Sequence, residues 1–144
     1  MWIDDRGSEV LQLPECQRLL AVAAKAHRYG HLGISQSDAP LVLPVDFAVH
    51  GPDVLIRVGE NLFERMLGRL VAFEVDGTES GLGQGNNSSA RAWSVLVRGL
   101  AIEEDDSLLG GHLPAPRVTE PGHRLIRVRA DVVTGRRLAS GTGS

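Results

Sequence analysis

Few side chains in this chain have the type and spacing to do chemistry. The single cysteine, Cys16, falls on the apolar stripe Cys16, Leu19, Leu20, Ala23 and Ala26, where a thiol behaves as a small hydrophobe rather than a nucleophile. His27 and His31 stand four apart, as two helical metal ligands can. Gly30 interrupts the helix between them and no carboxylate accompanies them at useful spacing, so no metal centre is predicted and His27 reads as a capping or surface residue. The run SGLGQGN from Ser80 carries the glycines of a phosphate loop without the apolar helix whose N-terminus would face the phosphates. No Gly-x-Ser-x-Gly elbow occurs, and the acids Glu103, Glu104, Asp105 and Asp106 read as a solvated turn. No residue of the chain is therefore predicted to be catalytic.

Cations are more telling. Arg117, Arg124, Arg127, Arg129, Arg136 and Arg137 concentrate positive charge in the last third of an otherwise acidic chain. They read either as a solvated strand face whose arginine stems cover apolar surface or as an anion site. Arg57 ends a strand just before the turn Gly59-Glu60-Asn61 and a short helix. There a guanidinium and free backbone N–H groups could grip a phosphate together, or Arg57 could simply pair with Glu60 or Glu64.

The elements that must position these residues follow from hydrophobic period. Leu13 to Gly30 reads as an amphipathic helix with Pro14 and Glu15 in its first turn. Tyr29 to Ser35 is a strand, and Leu41 to Val49 is another, its odd positions apolar and Pro44, Asp46 and His50 on the opposite face. Pro44 marks that strand as an edge or an irregular ladder. His50-Gly51-Pro52-Asp53 turns the chain into a returning strand through Val54, Ile56 and Val58. A short helix at Glu60 to Arg69, a strand at Leu70 to Asp76, a mobile loop at Gly77 to Ala90 and a long strand at Arg91 to Asp105 come next. A final strand carries Ile126, Val128, Ala130 and Val132 on one face. About six strands joined by turns favour an antiparallel barrel over a βαβ fold.

Composition bounds the rest. With 144 residues the chain suits one domain, residues 1–144 with a core of about 13–138. A formal charge of −3 and a pI near 5.9 argue against nucleic acid or an anionic membrane as partner. The N-terminus has no signal-peptide pattern and no apolar run approaches ~18 residues, so a cytoplasmic location is expected. Val95 and Val97 oppose Leu96 on one strand, and apolar residues on both faces predict that a second copy of the chain covers one of them.

Four stretches, ECQRLLAVAAKAHRYGHLGIS, LVLPVDFAVHGPDVLIRV, LVAFEVD with WSVLVRG, and LIRVRADVVTGRRL, span roughly Leu13 to Leu138. Their order and spacing resemble the pyridoxamine 5'-phosphate oxidase-like FMN-binding split-barrel proteins, in particular the small bacterial subgroup that includes nitroimidazole-resistance-type proteins. The resemblance implies a mainly β fold, a six-stranded antiparallel split β-barrel of Greek-key type with a few short α-helices. It further implies a homodimer with FMN in clefts between protomers and a flavin-dependent oxidoreductase acting on a small-molecule substrate. Carried over by position, Pro44, Val45 and Asp46 would lie along the flavin ring, Arg57, Val58 and Asn61 at the phosphate, and Trp93 and Ser94 on the neighbouring wall. Relatives commonly have Asn at the position of Asp46, Ser or Thr at that of Val58 and Lys at that of Asn61. Those departures leave open a flavin-free homodimeric binding protein, or one that takes a deazaflavin or another aromatic anion.

Overall fold

The computed structural model describes residues 2–3, 7–35, 39–80, 90–109 and 123–138. In chain order these form β1 (Trp2–Ile3), β2 (Glu9–Val10), α1 (Leu13–Lys25), β3 (Tyr29–Ile34), β4 (Leu41–Asp46), β5 (Ala48–His50) and β6 (Asp53–Val58). There follow α2 (Glu60–Met66), β7 (Leu70–Ser80), β8 (Ala90–Glu104), a 3₁₀ turn at Asp106–Leu109, β9 (Arg124–Val128) and β10 (Val132–Arg137). Every strand pairing is antiparallel.

β8 organises the sheet. Its first eleven residues pair with β7 along one edge, while β10 takes residues 93–98 of the other edge and β9 takes 101–104. From β7 the sheet runs through β3 to β4, and from β9 it runs through β6 to β5. The two wings curl toward each other until β4 packs on β6, but no ladder joins them among the described residues. The barrel is split at that seam. Pro44, which has no N–H to donate, is accommodated because β4 ends the ladder.

The inner faces of both wings supply the core, with Leu32, Ile34, Val45, Phe47, Val54, Ile56, Val58, Phe73, Val75, Val95, Val97, Ile126 and Val128 all buried. α1 closes one end by turning Cys16, Leu19, Leu20 and Ala23 inward. Its stop is a left-handed residue: His27 has φ +55°, and Arg28 and His27 donate back to the carbonyls of Ala23 and Ala24. The capping role expected of His27 is thus a backbone one. α2 buries Leu62, Phe63 and Met66 on its inward side.

Three expectations change. Among the described residues there are ten strands rather than about six, because two runs read as continuous strands are each divided and the stretch read as a polar start contributes β1 and β2. Leu41–Val49 breaks at Phe47, where the chain leaves β3 as partner and takes up β6. The terminal strand breaks at 129–131, where the chain passes so close to β8 that a Cβ on Gly99 would stand 1.8 Å from the Arg129 carbonyl oxygen. Asp131 fills the gap in the ladder, its Oδ2 accepting the Leu100 N–H at 3.2 Å. Val132 consequently does not continue the inward row of Ile126 and Val128 and is exposed, whereas Ala130 still packs, partly buried, against the core. Finally, residues 77–80 and Ala90 belong to the β7–β8 ladder rather than to a loop. The remainder of that predicted loop, residues 81–89, lies outside the described residues, as do Arg117 and most of the turn-rich stretch before β9.

Candidate functional site

Strand alternation decides which predicted site residues can meet a ligand. On β4, Val45 points into the core while Pro44 and Asp46 stand on the outer face. On β6, Val58 is a core residue, 1% exposed, and Arg57 is on the opposite face. Trp93 is also directed inward and its neighbour Ser94 outward. Val45 and Val58 can therefore offer a ligand little beyond their backbone.

Arg57 does not pair with Glu60 or Glu64. Its guanidinium, whose side chain is 9% exposed, forms an ion pair with Asp106 of the 3₁₀ turn, a side chain that is 65% exposed. Close by in the ladder, Arg124 pairs with Val58 in register and lies 4.0 Å above the Phe63 ring of α2. It also bonds Glu60 at 2.9 Å and Glu103 at 2.6 Å. Asn61 is exposed in the first turn of α2. The start of α2 thus gathers two guanidinium groups, but among Glu60, Glu103 and Asp106 it gathers three carboxylates. The acid run is exposed at Glu103, Asp105 and Asp106, as expected of a solvated turn, yet Glu103, Glu104 and Asp106 also pair with Arg124, Arg127 and Arg57.

Across the outer face, ladder register forms a second assembly. Asp46 pairs with Tyr29, Asp76 with Ser94, and Ser94 with Arg136. A groove of about 520 Å³ lies over this row, lined by Arg28, Asp76, Thr78, Trp93, Ser94 and Arg136 among others. A neighbouring one of about 310 Å³ is lined by His27, Arg28, Tyr29, His31 and Asp76. Arg28 and Asp76 belong to both, so the two grooves are continuous. Pro44, Asp46 and Ser94 therefore share this outer face, whereas Arg57 and Asn61 stand at the start of α2, on the wing across the seam. From Asp46 to Ser94 is three strand spacings, about 14 Å.

The outer face also holds a group of side chains that the sequence reading missed. His31 and Glu74 are ladder partners, and Asp76 lies two residues along β7 on the same face. Their ligand atoms lie within 4.8 Å of one another. Burial pushes the Glu74 carboxyl above its ordinary range, and the adjacent Asp76 charge adds to the effect. The signal available in the sequence was the alternation Glu74-Val75-Asp76, two acids on one strand face, but nothing in it tied β7 to His31. Cys16, by contrast, fits its expectation: it is 1% exposed, and burial raises its thiol pKa away from thiolate chemistry.

The model of the family described as pyridoxamine 5'-phosphate oxidase matches residues 14–137. The chain belongs to this family. No curated protein matches it. Among solved structures of the same fold, the FAD binding protein from Mycobacterium smegmatis is 25% identical with a TM-score of 0.67, covering 91% of this chain and 100% of its own. An FAD-binding protein from Mesorhizobium loti is 24% identical with a TM-score of 0.66, covering 92% and 99%. A candidate 5-nitroimidazole antibiotic resistance protein from Bacteroides thetaiotaomicron is 16% identical with a TM-score of 0.61, covering 90% and 87%. Pyridoxamine 5'-phosphate oxidase family membership accounts for the split barrel and for the seam between β4 and β6. Among the described residues no helix is long and apolar enough to cross a membrane.

Proposed function

We propose that this chain is a flavin-binding protein that takes FMN along the seam between β4 and β6. In this reading it works as a cytoplasmic homodimer and passes a hydride or electrons to a small molecule. The observation that carries the proposal is Arg57, a guanidinium nine-tenths buried whose ion-pair partner among the described residues is a carboxylate on a largely exposed side chain. A phosphate can take the place of such a carboxylate, because Asp106 returns to water at little desolvation cost while Arg57 exchanges one anion for another. The residues thus fit a phosphate at this point, and Asp106 stands in for it.

In this arrangement Arg57 holds the phosphate, Asn61 adds an amide from the first turn of α2, and the backbone of Val58 closes the strand end. Pro44 and Asp46 flank the ring from β4, with the backbone of Val45 between them, and Ser94 and Trp93 form the wall across the sheet. Bound FMN supplies the hydride or electron transfer, so the chain needs no catalytic acid, base or nucleophile of its own. A second copy of the chain covers the apolar end of the outer face, where Val42 is 63%, Leu70 74% and Val132 46% exposed beside a groove of about 450 Å³.

A second reading draws on the acids around the seam, Asp46, Glu60, Glu103 and Asp106. They oppose a dianionic phosphate and favour a flavin-free homodimeric binding protein; the alternative of a deazaflavin or another aromatic anion draws instead on the departures at Asp46, Val58 and Asn61 from the family pattern. Fluorescence titration of the purified chain with FMN and, separately, FAD separates the readings; FAD is included because the Mycobacterium smegmatis relative binds it. Saturable FMN binding that weakens in Arg57→Ala supports the proposal. Absence of binding to either flavin would hand the case to the second reading, and FAD bound in preference to FMN would correct the cofactor.

A further inference from the structure

The outer face carries an arrangement that flavin binding does not use. β3 and β7 are locked in register so that His31 faces Glu74, and the period of β7 puts Asp76 on the same side one pleat along. His31 Nδ1 and Glu74 Oε1 are 3.9 Å apart, and one donor atom from each of the three residues lies within 4.8 Å of the others. Glu74 Oε1 is sealed from solvent and has no hydrogen-bond partner among the described residues. A buried carboxylate oxygen without a donor costs free energy unless a cation faces it. His31 is oriented by the Tyr29 ring, which meets it edge-on with centroids 5.7 Å apart.

We propose that His31, Glu74 and Asp76 form a binding site for a divalent transition-metal ion, zinc being the type case. One imidazole and two carboxylates make a three-ligand set of the kind that leaves further coordination positions open. Donors held at 2.0–2.2 Å from one zinc ion lie about 3 to 4 Å apart. Half-exposed side chains close the present spacing by torsion, without movement of the ladder that carries them. The imidazole selects zinc, nickel or copper over magnesium and calcium, which prefer an all-oxygen shell. Arg28 moderates the affinity, because its guanidinium donates to the Asp76 carbonyl at 3.4 Å and adds a positive charge nearby. Asp76 also lines both outer-face grooves, so an open coordination position is within reach of an oxygen donor on a molecule bound there. Asp76 lies in the same row as Asp46 and Ser94 and so borders the proposed flavin ring, but a titration with zinc alone reads this site whether or not the flavin reading holds.

The test is calorimetric titration of zinc chloride into the full-length chain, stripped with a chelator and dialysed, at pH 7.5. One zinc ion per chain at low-micromolar affinity or tighter is expected, unaffected by millimolar magnesium. His31→Ala and Glu74→Gln each weaken binding by at least about tenfold, whereas His123→Ala, which lies outside the cluster, leaves it unchanged. Far-ultraviolet circular dichroism checks that each variant folds; if His31→Ala does not, Asp76→Asn at an exposed position carries the test with the same expected loss. Binding weaker than about 100 µM, or wild-type affinity retained in the folded variants, would overturn the proposal.

Discussion

Arg137 at the end of β10 and Arg57 at the end of β6 are buried to nearly the same degree, 13% and 9% exposed, yet their surroundings differ. Arg137 joins Glu9 of β2, Glu15 of α1 and Glu79 of β7 at 2.8, 2.8 and 2.9 Å. Arg18 reaches Glu15 and Glu79 from the opposite side, at 2.6 and 2.9 Å. Four elements are tied together there, and each acid has more than one reason to stay. Arg127 forms a smaller clamp of the same kind, with Asp53 at 2.8 Å and Glu104 at 2.5 Å. Among the described residues Arg57 has one exposed acid, on a 3₁₀ turn. The contrast teaches that burial of a guanidinium does not by itself separate an arginine locked in a clamp from one open to another anion; the burial and number of its carboxylate partners do. Among the C-terminal arginines, Arg127 and Arg137 are largely buried and engaged with acids of other elements, Arg124 is so engaged while part-exposed, Arg129 is exposed beside Asp131, and Arg136 lines the outer-face groove.

Acid should affect the clamp most. Arg18 first, and Arg137 after it, hold Glu15 at a pKa of about 2, against 4.5 for the unperturbed group. Glu79 is lowered by the same two arginines and Glu104 by Arg127. Each folded-state pKa lies below its unfolded value, so these groups contribute stability above pH 4.5 that is lost as pH falls toward 2. Urea midpoints should therefore hold steady as far as these acids are concerned from pH 7 to 5 and then drop. A midpoint unchanged down to pH 3 would mean that the clamp contributes nothing.

Replacing Arg137 by Ala should come next in size, lowering stability by about 2 to 3 kcal/mol, because Glu15 and Glu79 are left with Arg18 alone and Glu9 with the longer contact to Arg91 at 3.7 Å. The same measurement on Arg57→Ala should give about 1 kcal/mol or less, since Asp106 is free to hydrate. Equal losses would break the distinction between the two regions.

Flavin affinity should reverse that order. Arg57→Ala should weaken FMN binding by a factor on the order of ten to a hundred, the loss of one charge-assisted hydrogen bond, and Arg137→Ala should leave it within about twofold. The smallest effect belongs to Asn61→Lys, which adds a cation at an exposed position and should tighten FMN binding by about threefold to tenfold in fluorescence titration. No change in either variant at the start of α2 would mean that the phosphate lies elsewhere, the groove between Arg28 and Arg136 being the next place to look.

Much of this was legible from local pattern. The stripe of Cys16, Leu19, Leu20 and Ala23 is buried as its helical spacing requires, and Gly51, with φ +59°, turns the β5–β6 hairpin. Pro44 announced that its strand closes a ladder. The inward sets Val54, Ile56, Val58 and Trp93, Val95, Val97 followed from alternation alone. Less legible were the ends and breaks of strands. Phe47 continues the apolar alternation of its neighbours, so no local signal marks the residue at which the chain exchanges one partner strand for another.

The sequence by itself thus determined both helices, most of the strands, the inward faces of β4, β6 and β8 and the family, because all of these depend on side-chain period and order along one chain. Which charges meet was decided only by the tertiary structure. Arg57 finds Asp106 across 49 positions and Arg137 finds Glu9 across 128, while His31 meets Glu74 because β3 and β7 share a register. An ion pair has no period, and the free energy that selects its partner exists only after the apolar faces have closed the barrel and brought distant strands side by side.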